Sequence, residues 1–173
     1  MLDCILQELR QAAQAIEPGA VERCAQKIAA HERVFVCGAG RSGLMLKALA
    51  MRLMQLDRTV YVVGETITPS IQAGDLLIAA SASGTTFSVC RFAAEAIKMQ
   101  ADVLVITAEK DSELAQISKP DVLIPAPTKH NLAASGQLMG SLFEQMVLLF
   151  SDAVTMALAE DRETLSRNHA NLE

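Results

Sequence analysis

The sequence predicts a doubly wound α/β domain: a three-layer αβα sandwich around a five-stranded parallel sheet in the order 2-1-3-4-5. Three observations carry this. From residue 33 onward, short apolar runs alternate with stretches of helical period, the pattern of parallel strands joined by crossover helices. The runs are continuous rather than alternating, as in Val34-Phe35-Val36-Cys37 and Leu76-Leu77-Ile78-Ala79-Ala80, which is what burial on both faces demands. At 173 residues and 51% hydrophobic content, the chain has the length of one domain and can bury a proper core.

The elements follow in order. Residues 3–16 and 20–31 read as two helices split by Pro18-Gly19, with Ile5, Leu6, Leu9, Ala12, Ala13 and Ile16 at helical spacing. Residues 33–37 are the first strand, ending at Gly38, and 42–57 return to a helix. Residues 59–63 and 76–80 are the second and third strands, with a helix over 85–100 after them. Residues 103–106 and 122–124 are the fourth and fifth, separated by a short helix near 111–118. The irregular stretch from Pro125 to Ser135 is the longest loop and a candidate for lining a site. A long helix over 136–160 and a polar tail over 161–173 complete a single domain with N-terminal helices at 1–31 and its sandwich at 33–160.

Composition narrows the function classes. Fifteen Lys plus Arg against twenty Asp plus Glu give a net charge of -5, and aromatic residues are 3%. A nucleic-acid binder shows a basic excess and stacking aromatics, so that partner is disfavoured. Cys4, Cys24, Cys37 and Cys90 form no CxxC pair, and no Cys/His cluster has metal-site spacing. They read as small buried hydrophobes in a reducing, cytoplasmic setting. The most apolar stretch, Leu142 to Leu158, is interrupted by Glu144 and Asp152, so it reads as a buried helix rather than a membrane span.

In open parallel sheets, ligands bind at the carboxyl ends of the strands. Two loops stand out there. Gly38-Ala39-Gly40-Arg41-Ser42-Gly43 follows the first strand and opens a helix. Its glycines let backbone approach an anion, the helix start offers free N–H groups, and Arg41 and Ser42 add a charge and a hydroxyl. The same residues match GxGxxG, and Glu65 lies about 20 residues on, where a dinucleotide's ribose is held. The nicotinamide reading therefore competes, although the chain leaves little room for a substrate domain. Ser81-Ala82-Ser83-Gly84-Thr85-Thr86 follows the third strand. Its hydroxyls and glycine can surround a phosphate without a metal; the plain alternative is a Ser/Thr helix cap, for which one hydroxyl suffices.

Glu144 sits among Phe143, Met146, Val147, Leu149 and Phe150 at helical spacing. Either it is partly desolvated at the edge of an apolar face, which suits a general base, or it is a solvated residue beside Gln137, Ser141 and Gln145. His169 is near the C-terminus, where a histidine is ordinarily solvated and idle. His31 reads as a surface residue, His130 lies in the long loop, and Lys47 and Arg52 read as surface charges.

Together these segments resemble the sugar isomerase (SIS) domain family, and within it the 6-phospho-3-hexuloisomerases. The resemblance runs over nearly the whole chain. It rests on Gly38-Ala39-Gly40-Arg41-Ser42-Gly43-Leu44, Ala50-Met51-Arg52-Leu53-Met54, Val63-Gly64-Glu65-Thr66-Ile67-Thr68-Pro69, Ser81-x-Ser83-Gly84-x-Thr86, Met139-Gly140-Ser141-Leu142-Phe143-Glu144-Gln145 and the terminal His169-Ala170-Asn171-Leu172-Glu173. It implies a flavodoxin-like fold and an enzyme that interconverts 3-hexulose 6-phosphate and fructose 6-phosphate in the ribulose monophosphate pathway, after the synthase that joins formaldehyde to ribulose 5-phosphate. It implies that Ser81 to Thr86 hold the phosphate, that Arg41, Ser42 and Glu65 contact substrate, and that Glu144 accepts the proton. It also implies a homotetramer in which the tail brings His169 to a neighbouring subunit's site, ring opening being one task for it. No hydride moves, so no cofactor is implied. Three departures bear on substrate choice. Thr85 stands where the family's loop has an acid, Gln137-Leu138-Met139-Gly140 stands where the family has Gln-Pro-Met-Gly, and the loop from Thr128 to Gly136, expected to border the sugar, differs from the family's common pattern. A non-catalytic sugar-phosphate sensor and an isomerase for another phosphosugar are the alternatives; a sensor needs the phosphate loop but no base.

Overall fold

The computed structural model describes residues 1–128, 135–159, 162–169 and 171. Two helices lead, α1 (Leu2–Gln14) and α2 (Ala20–Ala29). The alternating part follows: β1 (Arg33–Gly38), α3 (Gly40–Gln55), β2 (Thr59–Val62), β3 (Leu76–Ser81), α4 (Phe87–Lys98), β4 (Asp102–Thr107), α5 (Glu113–Ile117) and β5 (Val122–Leu123). Two helices close the chain, α6 (Ser141–Leu158) and α7 (Arg162–Arg167). The five strands form one parallel sheet in the order β2-β1-β3-β4-β5, as the sequence predicts.

The continuous apolar runs explain the three layers. In β3 all six residues are buried, and successive side chains point to opposite faces. Val34, Val36, Leu76, Ile78, Leu104 and Ile106 pack against α1, α2, α3 and α6. Phe35, Cys37, Leu77, Ala79, Val103 and Val105 pack against α4 and α5. α6 is long and apolar enough to cross a membrane, but Leu142, Phe143, Met146, Val147, Phe150 and Val154 are buried in protein, which makes it the core helix of the first face.

One expectation needs correction. The last long helix begins at Ser141 rather than 136. Met139 has a left-handed backbone (φ 55°), a conformation a helix cannot include, so residues before Gly140 form a turn. The polar tail carries a short helix, α7, which packs against α3.

The far ends of β1 and β3 carry the two candidate loops, and an ion pair ties their near ends. Asp75, immediately before β3, is 5% exposed. It accepts from Arg33 of β1 through Nε at 2.8 Å and through Nη2, and from the Gln72 backbone N–H at 2.7 Å. Burial alone would raise the Asp75 carboxyl, but these donors outweigh it and hold the carboxyl below its ordinary value. The folded state therefore binds the charged form better. The resulting stability is present above about pH 4 and is lost as pH falls through the lower folded value. Asp75→Asn leaves Arg33 without its charge partner and should cost about 2–3 kcal/mol at neutral pH. It should also flatten the acid limb of stability; urea denaturation across pH checks both.

Candidate active site

The site edge is set by register. β1 and β3 pair so that Gly38 lies opposite Ala80, which puts the loop after β1 beside the loop after β3. In the first loop, Gly38 and Gly43 meet backbone to backbone: a Cβ on Gly38 would stand 2.9 Å from the Gly43 nitrogen, closer than packing allows. These glycines of the GxGxxG match therefore seat α3 tightly on β1. Ser42 is nearly buried beneath the loop, at 9% exposure.

In the second loop the hydroxyls bind one another. Ser81 Oγ is 2.8 Å from Thr86 Oγ1, and Ser83 Oγ is 3.0 Å from Thr85 Oγ1. Ser81 and Ser83 are buried while Thr85 is exposed. Gly84 has φ 59°, and a Cβ there would collide with the Ser112 side chain, so only glycine fits. The Gly84 carbonyl accepts from Leu114 N at 2.9 Å and from Cys90 Sγ at 3.4 Å. Burial pushes the Cys37 thiol up to about 12 and raises that of Cys90, so both are protonated packing residues.

Thr86 does not act as a plain helix cap. Four helices begin at this edge: α3, α4, α5 and α6. Only α5 has a side-chain cap, Ser112 accepting from Ala115 N at 3.3 Å. α3, α4 and α6 have none, even though Thr86 occupies the N-cap position of α4. Uncapped helix starts present free N–H groups and positive dipole ends to an anion.

Arg41 at the start of α3 joins this edge to α6. Its Nε is 3.0 Å from Glu144 Oε2, and its Nη1 donates toward Ser141 Oγ at 3.5 Å. The Glu144 side chain is 17% exposed and that of Arg41 57%. Glu144 is thus the partly desolvated carboxylate of the first sequence reading, not a solvated residue. An exposed cation and a half-hidden carboxylate beside a hydroxyl loop can bind an anionic, oxygen-rich ligand and exchange a proton with it.

The other candidates are placed as follows. Glu65 is exposed and pairs with Lys47 Nζ at 2.9 Å; Lys47 is the surface charge the sequence predicts. His169 is exposed, and the structure does not bring it to Glu144. Its neighbour Asn168 donates to the Gln55 carbonyl at 3.1 Å, at the opposite end of α3 from Arg41. That helix spans about 24 Å at 1.5 Å per residue. His31 corrects the surface reading: its side chain is 11% exposed, with Nε2 at 2.9 Å from Asp102 Oδ2 and Nδ1 at 2.7 Å from the Lys27 carbonyl. His130 lies outside the described residues. Of the long loop, Pro125 to Pro127 border a cleft of about 430 Å³ with Glu8, Gln11 and Leu142. Among the described residues, no group of three or more His, Cys, Asp or Glu is placed to hold a metal.

Fold and edge together define a three-layer αβα domain with two polar loops side by side at the carboxyl ends of β1 and β3. The SIS domain model matches residues 27–166, and the chain belongs to that family. It is 43% identical to a 3-hexulose-6-phosphate isomerase of Mycobacterium gastri, over 99% of this chain and 89% of that protein. It is 40% identical to the Bacillus subtilis protein of the same name, over 98% and 95%. A crystal structure of a Methanococcus jannaschii protein, described as inferring a molecular function of 3-hexulose-6-phosphate isomerase, superposes with a TM-score of 0.83 at 28% identity, over 99% of this chain and 98% of that one.

Gly84→Ala tests the loop. The added Cβ meets Ser112 in a left-handed backbone, so the variant should lose more than about 1 kcal/mol of stability. It should also bind inorganic phosphate more weakly; thermal melts and calorimetric titration read the two effects.

Proposed function

We propose that this chain interconverts 3-hexulose 6-phosphate and fructose 6-phosphate. The observation that carries the chemistry is Glu144: a carboxylate mostly withdrawn from water, 3.0 Å from Arg41, beside a loop of paired hydroxyls. The names of its full-length relatives in Mycobacterium gastri and Bacillus subtilis support the substrate.

Moving the carbonyl from C3 to C2 requires a proton to leave C2 and another to arrive at C3, through a 2,3-enediol. One carboxylate serves both steps: Glu144 accepts the C2 proton and returns it at C3. Meanwhile the hydroxyl proton at O2 passes to O3, and Arg41 steadies the negative charge on the enediolate oxygens. The Ser81–Thr86 hydroxyls and the uncapped start of α4 hold the phosphate. That binding energy positions the reacting carbons at the other end of the sugar. Ser42 supports the loop from below, and Glu65, with Lys47, borders the sugar on the β2 side. Thr85 gives the phosphate loop a hydroxyl in place of the family's acid, which changes the charge at the start of α4.

The enzyme acts as one SIS domain, with its N-terminal helices and tail appended to the sandwich, in a cytoplasmic homotetramer. Water must be kept from an enediolate, and the edge is open within one chain. Large apolar side chains stand exposed on the loops and at the start of α4: Ile67 at 82%, Phe87 at 77%, Leu138 at 82% and Met139 at 68%. A second copy covering them closes the site, and His169 of a neighbouring subunit opens the sugar ring there. The reaction follows the synthase that joins formaldehyde to ribulose 5-phosphate, in formaldehyde assimilation or detoxification. It needs neither nucleic acid nor membrane.

The test is a coupled assay in which a separate synthase makes 3-hexulose 6-phosphate and phosphoglucose isomerase with glucose 6-phosphate dehydrogenase reports fructose 6-phosphate as NADPH. Glu144→Gln should lower kcat by about 10²–10⁴ while still binding fructose 6-phosphate in calorimetry. A well-folded native chain without turnover would sink the assignment.

A further inference from the structure

We propose that Glu8 of α1 is a positioning residue for the reaction, because its carboxylate holds the turn that sets where α6, and hence Glu144, begins. The inference rests on Glu144 being the base.

Three consecutive residues converge on this one side chain. Glu8 Oε2 accepts from Ser135 Oγ at 2.7 Å and from Gln137 Nε2 at 3.0 Å, and Oε1 accepts from the Gly136 backbone N–H at 2.7 Å. Ser135 Oγ in turn accepts from Gln137 N at 2.9 Å. The Ser135 hydroxyl, then the Gly136 amide and the Gln137 amide, hold the Glu8 carboxyl below its ordinary value, so at neutral pH it is a charged acceptor. The fit is close. A Cβ on Gly136 would stand 2.9 Å from Cys4 Sγ and 3.5 Å from Glu8 Oε1, so α1 presses on the turn over a full helical step. Among the described residues, no other side chain from outside the turn hydrogen-bonds to residues 135–140.

The turn feeds α6 without slack. Met139 is left-handed, Ser141 N donates to the Leu138 carbonyl at 3.2 Å, and Glu144 N donates to the Gly140 carbonyl at 3.1 Å. Glu144 is thus in the first turn of α6. Leu142 and Phe143 anchor that turn in the core and Val147 and Phe150 the helix beyond it, so the clamp sets how the chain enters α6 and not whether α6 forms. Loss of the clamp should therefore displace the base without unfolding the helix. The Ser81–Thr86 loop has no hydrogen bond to Glu8, so phosphate binding should not change.

The experiment measures kcat, KM, thermal stability and fructose 6-phosphate binding for Glu8→Ala and Glu8→Gln, with Glu144→Gln alongside. Misplacing a reacting group by about 1 Å costs up to about 10²-fold in rate. Glu8→Ala should lose at least about tenfold in kcat with KM and binding unchanged, and Glu8→Gln, which keeps one acceptor oxygen, should fall between it and wild type. A kcat within twofold of wild type in folded Glu8→Ala, or a loss seen only as reduced stability, overturns the proposal. Turnover retained in Glu144→Gln overturns the base itself and this inference with it. Turnover lost in Glu144→Gln but unchanged in the Glu8 variants overturns only the role of Glu8.

Discussion

Everything at the ligand edge depends on the parallel pairing of β1 with β3. These strands lie side by side although β2 lies between them in sequence, so the loops that follow them flank one crevice. Their register places Gly38 opposite Ala80; a slip of one residue would turn every side chain to the wrong layer. With Val34, Phe35, Val36 and Cys37 buried on one strand and all of β3 on the other, no slipped register keeps both cores intact. The Arg33–Asp75 pair fastens the same two strands at the end away from the site.

At that edge the electrostatics are unbalanced toward binding an anion. Three helix starts lack a side-chain cap while the fourth, α5, is capped by Ser112. The loop hydroxyls of Ser81, Ser83, Thr85 and Thr86 pair with each other instead of with the helix N–H groups. In a chain of net charge -5, Arg41 supplies the local positive charge. Its ion pair with Glu144 keeps a poorly solvated carboxylate matched.

The helices outside the alternating part shape the site as much as the sheet does. α1 reaches across to the turn before α6 through Glu8, and α7 docks on the far end of α3 through Arg167 and Asn168, which meet Asp57 at 2.9 Å and 2.7 Å. The first arrangement couples the N-terminal helix to the start of α6. The second holds the tail at the end of α3 away from Arg41.

The sequence by itself determined the layers and the succession of strands and helices, because burial on both faces leaves a continuous apolar run and crossover helices leave a 3.6-residue period, both local signals; the order 2-1-3-4-5 was an expectation those signals do not fix, and the strand pairing bears it out. It also pointed to the two loops, since glycine and hydroxyl residues cluster at strand ends. It did not show that Arg41 meets Glu144, that His31 is tucked against Asp102, or that Glu8 receives Ser135, Gly136 and Gln137. Those partners are far apart in sequence, and a charge or a histidine reads the same on a helix face whether or not something packs over it. The start of α6 was misplaced for a related reason: the helical period runs back through 136–140, and only the left-handed Met139, held in a turn that Glu8 grips, breaks it. Tertiary structure decided these points because each depends on which surfaces the folded layers bring within hydrogen-bond reach, a property of the whole chain that no local pattern contains.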